Sequence, residues 1–388
     1  GSSKMYKVFT KTKSDTYDDI SRQAYGTTAN AGDIAKLNNN IEEGEVLAYV
    51  EDEEEPKAPE SGKVLLQIDG VNYDDFSQYR LIDILGGVRA AIFIFNKTDR
   101  EYDFKMGDEV VVFDEDGLFL KGRITIIDGN LDERVNYFQV EIKSHAGELL
   151  DTDMPYPNEF NHSSIRNILQ SVATCYNQKI TFSDEKELDE IFVNEIGTSF
   201  SASNKEKVLD FMTRVCDSRG LLIQDTGDGL FVGRFKANTE EKLNLIDGEC
   251  LGLKNIRLLF NGNNLARYYE LNSQYPEPAS YTVQIPFPIP IISRKNSNDY
   301  NASDLPSITK MIACQEIGKH LTLTAILSEN KNVKAGSFAI LKNEKIKISK
   351  ETDFVIKQVE RRHPDLTVII MTLPCAYTFE IPEELPLC

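Results

Sequence analysis

Two stretches of the chain, "FKMGDEVVVFDEDGLFLKGRITIID" (Phe104–Asp128) and "NVKAGSFAILKNEKIKISKETDFVIKQVE" (Asn332–Glu360), share one pattern. Each has a lysine, a small apolar spacer and a glycine, followed by an apolar strand, a polar turn and two more strands. Runs of this kind, separated by Asp-Gly and Asn-rich turns, predict closely spaced antiparallel strands and favour a small β-barrel over an α/β sheet. A duplicated barrel and a chance likeness both fit the pattern. The residues that mark it are Gly107, Asp108, Gly122 and Gly336.

Between the two stretches the hydrophobic period changes to that of helices. One predicted helix carries apolar residues from Ile165 to Tyr176, and a second carries them from Val208 to Cys216. Ser203 and Glu206 have the spacing of a capping box at the start of the second helix, and Gly220 is expected to end it. A hairpin follows, with its turn at residues 227–229. The sequence therefore predicts a small α+β domain here.

The predicted fold class is mainly β with α+β, and the predicted boundaries follow from these patterns. The first barrel is expected at residues 63–152, the α+β domain at 153–240 and the second barrel at 241–388. A proline-rich insertion at about residues 275–306 interrupts the second barrel and is expected to be a loop or an edge excursion, because proline cannot donate to a central ladder. A helix is predicted over Ser307–His320.

The N-terminal part has a different organisation. Residues 1–4 read as a remnant of cloning, and residues 5–50 predict a strand, two short helices and a closing strand. Residues 51–62, "EDEEEPKAPESG", combine an acidic run with two prolines and predict an extended, solvated linker. The acidic run lacks the glycine-punctuated loop of a calcium-binding EF-hand.

Composition narrows the class of protein. The 388 residues carry a net charge of -19, which argues against nucleic-acid or anionic-membrane binding, and no run of about 18 apolar residues predicts a membrane span. The start of the chain lacks the apolar core of a signal peptide, so synthesis in a cytoplasm without secretion is expected. Six scattered cysteines without a C-x-x-C pair favour free buried thiols over disulfides or a metal site.

Catalytic signatures are missing from the sequence. Its four histidines are far apart, and it has no H-E-x-x-H, G-x-S-x-G, phosphate-loop or dinucleotide-binding pattern. Cys175 follows His162 by thirteen residues, but it ends an amphipathic helix, where core packing is the better explanation. The 62 acidic residues make any carboxylate pair uninformative. We therefore expect no enzyme activity, no catalytic residue, no metal and no cofactor.

Residues 5–50 resemble a LysM module. "YKVFTKTKSDTYDDISRQAYGT", "DIAKLNN" and "GEVLAYV" match its strands, its helix starts and its Tyr-Gly turn. The resemblance implies a βααβ fold and a glycan or protein contact. Tyr17 stands where the family has leucine, and "AYVEDEEEP" replaces the closing Ile-Pro. The contact residues it implies are Asp15, Thr16, Tyr25, Gly26, Ile34 and Asn38.

Residues 63–388 resemble the baseplate hub protein of Mu-type contractile phage tails, a family similar to type VI secretion spike hubs. "KMGDEVVVF", "EIKSHAGELLDTDMPYP", "SIRNILQSVATCYNQKITF", "NGNNLARYYELNSQ" and "VIKQVERRHPDLTVIIMTLPCAYTF" carry the resemblance in colinear order. It implies two related barrels flanking an α+β domain. It also implies a homotrimer in the virion tail baseplate of a phage or tailocin, joining a sixfold tail tube to a threefold central spike and contacting baseplate wedge proteins.

An alternative remains open beside this interpretation. A LysM module with a hydrolase or adhesin behind it would make the chain a peptidoglycan-binding protein. A type VI-like spike component is a third reading, although those usually carry a long β-helix after the hub.

Overall fold

A computed structural model describes residues 5–11, 13–14, 16–18, 31, 35, 44–50, 63–96, 101–131, 136–155, 159–160, 163–191, 200–236, 238–274, 277–296 and 302–388. The strands in this part of the chain are β1 (Met5–Lys11), β2 (Gly44–Val50), β3 (Leu65–Ile68), β4 (Val71–Tyr73), β5 (Gln78–Ile84), β6 (Ala90–Phe95), β7 (Glu109–Asp114), β8 (Gly117–Leu131), β9 (Asn136–Ser144), β10 (Glu159–Phe160), β11 (Ile180–Phe182), β12 (Phe200–Ser201), β13 (Leu222–Asp225), β14 (Leu230–Gly233), β15 (Asn238–Asn244), β16 (Leu253–Phe260), β17 (Tyr268–Ser273), β18 (Ala279–Gln284), β19 (Ile292–Asn296), β20 (Leu321–Leu327), β21 (Ser337–Asn343), β22 (Ile348–His363) and β23 (Leu366–Thr372).

The α-helices are α1 (Ile165–Cys175), α2 (Val208–Asp217), α3 (Leu305–His320) and α4 (Cys375–Thr378), and short 3-10 helices occur at His145–Leu150, Lys186–Leu188, Ala302–Asp304 and Glu344–Ile346. No helix in the described part of the chain is long and apolar enough to cross a bilayer.

A 13-stranded, almost entirely antiparallel sheet dominates the structure. It contains two strand sets of five strands each, with the same order and pairing. The first strand set runs β5-β6-β9-β8-β7, and the second strand set runs β16-β20-β23-β22-β21. The prediction of a mainly β protein is confirmed.

The strand registers of the two sets match residue by residue. The register slips by one residue after Ile124 in β8 and after Ile356 in β22, which is the signature of a β-bulge at equivalent places. The bulge residues themselves are Thr125 and Lys357. Each set has its own apolar core, with Phe93 and Phe95 fully buried in the first and Phe354 in the second.

The two sets are not separate sheets. Strand β22 of the second set pairs antiparallel with β5 of the first, so that one ladder runs through both. The sets differ in the strand that flanks each of them at its end. Strand β3 pairs antiparallel with β7 of the first set, whereas β15 pairs parallel with β21 of the second. The expected domain boundary at residue 240 falls inside β15.

The segment between the sets, residues 153–236, has α+β architecture. Helices α1 and α2 bury Ile168, Leu169, Phe211 and Met212 against the small sheet β11-β14-β13. The hairpin predicted at residues 227–229 joins β13 to β14.

The predicted capping box forms in a turn before α2 and not at the first residue of the helix. The Glu206 carboxylate accepts from the backbone N–H of Ser203 at 2.8 Å, but α2 begins at Val208. Lys207 is the N-cap residue in an extended conformation, because it bridges to Asp153 both through the backbone and through a 2.6 Å ion pair. Gly220 follows the end of α2 with a positive φ of 65°.

The proline-rich insertion contributes two strands to a small separate sheet of order β18-β17-β19, in which β17 precedes the insertion. Its two strands within the insertion lie at the edges, and Pro286, Pro288 and Pro290 stand between them. Helix α3 packs against this sheet through Leu305 and Ile308. At the N-terminus, β1 and β2 pair antiparallel from Met5–Val50 to Lys11–Gly44.

Candidate functional site

The pairing of β22 with β5 is the place where the two strand sets meet, and we call it the internal junction. It runs antiparallel from Gln358 opposite Ile84 to His363 opposite Tyr79. The imidazole of His363 stacks on the Tyr79 ring with centroids 5.3 Å apart. On one face of the junction, Glu360 accepts from Arg362 at 2.7 Å and lies 4.0 Å from Arg80. Backbone ladder and charge pairing thus act together here.

A buried charge cluster supports the other face of the internal junction. The Arg361 side chain, in a residue only 3% exposed, donates to the carboxylates of Asp114 and Glu115 at 2.7 Å each. Asp114 is the last residue of β7 in the first set, and Glu115 follows it in the turn to β8. The two carboxylates accept from the guanidinium and pair its buried charge, as burial of a charge requires. The second set is thereby fixed to the first by a contact that is protected from solvent.

A neighbouring contact uses the loop that precedes β21. Asp116 accepts from Asn332 and Lys334, each at 2.8 Å. The hydrogen bond from Lys334 is the main reason that the pKa of Asp116 lies below its ordinary value. Asp83 of β5 accepts from the backbone N–H of Ala335 at 3.1 Å. The lysine-spacer-glycine segment of the second stretch therefore lies directly on the first set.

The glycines of the two stretches take the same conformation. Gly107 has a φ of 88° and Gly336 a φ of 92°, values that side-chain-bearing residues rarely adopt. Gly107 donates its N–H to Ile124 at 2.9 Å, and Gly336 donates to Ile356 at 2.8 Å. The next residue closes the turn in both stretches. The backbone N–H of Asp108 donates to the carbonyl of Lys105, and that of Ser337 donates to the carbonyl of Lys334, at 3.2 Å in both cases.

Gly122, the remaining residue of the predicted motif, serves a different purpose. A Cβ at this position would lie 1.8 Å from the carbonyl oxygen of Lys143 in β9, so only glycine fits. The register places Phe354 at the equivalent position of the second set, where it is fully buried. Gly122 is therefore specific to the first set.

The central segment is tied to the first set by a buried carboxylate. Asp225 accepts from the backbone N–H of Arg89 at 2.7 Å, from that of Gly227 at 2.7 Å and from the Ser144 hydroxyl. Burial raises the pKa of Asp225, and the hydrogen bonds oppose that rise. The Arg89 guanidinium in turn donates to the carbonyl of Phe119 at 2.8 Å and to Asp83 at 3.2 Å.

A second ion cluster reinforces this attachment. Asp228, at the tip of the β13–β14 hairpin, pairs with Lys121 of β8 at 2.7 Å and with Lys179 at 2.9 Å. Burial acts to raise the pKa of Asp228, but the hydrogen bonds from the two lysines outweigh it and lower the value. The contacts of Arg89 with Phe119, of Arg361 with Asp114 and of Asp225 with Arg89 were not predictable from local patterns, because each joins residues at least 30 positions apart.

The central segment meets the second set differently, around a cavity of about 300 Å³. Asp217, Lys319 and Lys357 are its charged lining residues. Burial raises the pKa of Asp217 to about 6 and lowers the pKa of Lys357. Tyr377, another lining residue, has its pKa raised by burial to about 12.

The described residues contain no group of three or more histidine, cysteine, aspartate or glutamate side chains that could hold a metal. Cys216, Cys314 and Cys375 are buried free thiols, while Cys175 and Cys388 are exposed. Of the LysM-like positions, Thr16 is exposed, and Asp15, Tyr25, Gly26, Ile34 and Asn38 lie outside the described residues.

Among the described residues, β16 and the distal half of β8 each have an edge without a strand partner. The distal half of β8, Ile126–Leu131, pairs with β9 on one side, and its pairing with β7 ends at Arg123. Strand β16 pairs with β20 alone among the described strands and ends the sheet. Large exposed apolar side chains lie on both edges, with Ile126 46%, Leu131 84% and Leu259 50% exposed.

Comparison with solved structures shows the fold of the chain, but sequence comparison assigns it to no family. No family model matches the chain, and no curated protein matches it. The 43 kDa tail protein of prophage MuSo2 from Shewanella oneidensis matches with a TM-score of 0.68 and 16% identity, over 81% of this chain and 99% of that one.

A tail protein from Neisseria meningitidis matches with a TM-score of 0.68 and 14% identity, over 82% of this chain and 98% of that one. The prophage tail protein gp18 from Listeria monocytogenes matches with a TM-score of 0.52 and 11% identity, over 80% of this chain and 94% of that one. The chain thus has the fold of phage tail proteins.

Proposed function

We propose that this protein is a structural, non-enzymatic hub in the baseplate of a contractile phage tail or tailocin. In this role three copies form a ring that joins a sixfold tail tube to a threefold central spike. The proposal is supported by the fold shared with phage tail proteins. It also agrees with the colinear resemblance of residues 63–388 to Mu-type hub proteins.

The observation that carries the proposal is the presence of two equivalent strand sets in one chain. Both have the same strand order, a bulge after equivalent isoleucines and a turn glycine with the same hydrogen bond. A ring of three such chains presents six similar units on the side of the tube and three identical chains on the side of the spike. Duplication within the chain is thus the means of matching two symmetries.

Imaging the purified protein by electron microscopy tests this proposal. The expected particle is a ring with a central hole, six similar lobes and threefold symmetry. Particles of single-chain size at micromolar concentration would contradict the proposal, as would a filled particle without a hole.

In the same proposal the LysM-like N-terminus is a joint to neighbouring baseplate proteins, and wedge and spike proteins are the further partners. The alternative is a peptidoglycan-binding protein, and the antiparallel pairing of β1 with β2 agrees with a LysM-like module in either case. Cosedimentation with purified sacculi separates the two readings. Retention that disappears when residues 5–50 are deleted would favour the wall-binding alternative.

A further inference from the structure

The internal junction defines what a contact between copies would look like. In it, the distal half of β22 receives β5 from the other strand set. The strand equivalent to β22 in the first set is β8, and the strand equivalent to β5 in the second set is β16. Among the described strands, β16 and the distal half of β8 have no partner on the edge that the internal junction uses. The chain therefore carries one internal junction and the two separated halves of a second.

We propose that β16 of one copy adds to the distal half of β8 of the next copy, antiparallel and in the register of the internal junction. This deepens the proposed function by naming the surface that joins the copies, and it rests on that proposal for the number of copies in the ring. An edge strand with unpaired N–H and C=O groups is a template for such addition. Each copy offers one edge of each kind, so the contact is head-to-tail and closes on itself only in a ring.

The register follows from the ladders that both sets share. Leu81 of β5 and Leu258 of β16 occupy equivalent positions. In the first set Leu81 lies opposite Ala91, which lies opposite Ile142. In the second set Leu258 lies opposite Leu323, which lies opposite Met371. The pairs expected between copies are Ile126 with Asn261, Ile127 with Phe260, Asp128 with Leu259, Gly129 with Leu258, Asn130 with Arg257, and Leu131 with Ile256.

The side chains on these edges complement one another. Arg257 stands where β5 has Arg80, and Asp128 stands where β22 has Glu360, so the charge contact of the internal junction is repeated with the same signs. Leu131, 84% exposed in a single copy, would lie opposite Ile256. Exposed apolar side chains on an unpaired edge are what an interface between copies would cover.

Two other strands of this sheet, β4 and β15, also have one described partner each and are poorer candidates. Strand β4 has three residues and forms a short hairpin with β3, and β15 pairs parallel with β21. The internal junction does not involve β3 or β4, and therefore gives no template for a contact there.

Disulfide trapping tests the proposed register. Asp128→Cys combined with Leu259→Cys places two thiols directly opposite each other across the contact, within the span that a disulfide bridges. The matched control combines Asp128→Cys with Arg257→Cys, which lies two residues away on the same face. Exposed Cys175 and Cys388 are changed to serine in all variants.

On mild oxidation we expect the first variant to give covalent dimers and closed trimers on a non-reducing gel, and the control to stay uncrosslinked. Trimeric protein that fails to crosslink would overturn the strand-addition proposal and leave the hub proposal standing. A ladder that extends beyond trimers would support strand addition and overturn the closed ring. A protein that stays monomeric overturns both.

A charge exchange gives a second readout that does not depend on disulfide geometry. Asp128→Arg should raise the concentration at which copies associate by about tenfold or more, because it sets two positive charges side by side. Adding Arg257→Asp to the same chain should restore association. Unchanged association in the single variant would contradict the predicted register.

Discussion

The two strand sets share the order of their strands but differ at equivalent single positions. Arg361 in the second set corresponds to Gly129 in the first, Phe354 corresponds to Gly122, and the bulge residue Lys357 corresponds to Thr125. Positions that set the backbone path, such as Gly107 and Gly336, are the same in both. Backbone geometry is thus repeated, while the side chains are specialised for what each set contacts.

The largest effect is expected at Arg361, where the second set has a buried charge and the first has glycine. Arg361→Ala leaves the buried Asp114 carboxylate without its cation, and we expect a loss of about 3–5 kcal/mol in the free energy of unfolding. Chemical denaturation followed by circular dichroism measures this loss. The control is Arg80→Ala, whose half-exposed ion pair should contribute less than about 1 kcal/mol. Equal losses in both variants would contradict the assigned role of Arg361.

The next effect concerns the close approach found only in the first set. Gly122→Ala forces β8 and β9 apart, because the new Cβ would lie 1.8 Å from a carbonyl oxygen, and we expect a loss of about 3 kcal/mol. Gly129→Ala, on the same strand, meets only the Phe138 ring at 3.6 Å and should change stability little. A tolerated alanine at residue 122 would show that the strands separate freely at this point.

The two contacts of the central segment also differ, and pH separates them. Asp225, on the side of the first set, is hydrogen-bonded, whereas Asp217, on the side of the second set, lines the cavity, where burial raises its pKa to about 6 against the attraction of Lys319. The folded pKa of Asp217 is raised, so folding is unaffected below the unfolded value of about 3.9, and stability falls as pH rises towards 6.

Asp217→Asn should therefore be more stable than the unchanged protein at pH 7 and equally stable near pH 4, with a gain kept small because the Asp217 side chain reaches solvent. Denaturation curves of the two proteins at both pH values measure the difference. A stability difference that does not change with pH would contradict the raised pKa of Asp217.

The smallest effect is expected where the two sets are the same. Gly107→Ala and Gly336→Ala each place a Cβ at a φ near 90°, without a steric clash, and should cost about 1–2 kcal/mol. The two losses should agree, because both glycines close the same turn with the same hydrogen bond. Clearly unequal losses would weaken the equivalence of the two sets.

The repeat and its glycines could be predicted from the sequence, since a strand-turn-strand pattern and a turn glycine are local signals. Helices α1 and α2 were predicted for the same reason, from their apolar spacing. The ladder between β22 and β5 could not be predicted in this way, because strand partners hundreds of residues apart leave no local pattern.

The polar clusters were missed for a related reason. Arg361 and Asp114 are 247 residues apart, and an arginine or aspartate in a strand gives no sign of burial by its type alone. The capping box at Ser203 misplaced the start of α2, since the tertiary contact of Lys207 with Asp153 overrode the local signal. In each case a contact between residues far apart in sequence determined the local structure.

Native mass spectrometry of the full chain shows whether the edges of β8 and β16 join three copies in a closed ring. We expect one dominant species at three times the chain mass of 43.8 kDa, which dissociates when Asp128 is changed to arginine. A protein that remains at the mass of a single chain at high concentration would contradict it, as would a stable dimer with two identical faces in contact.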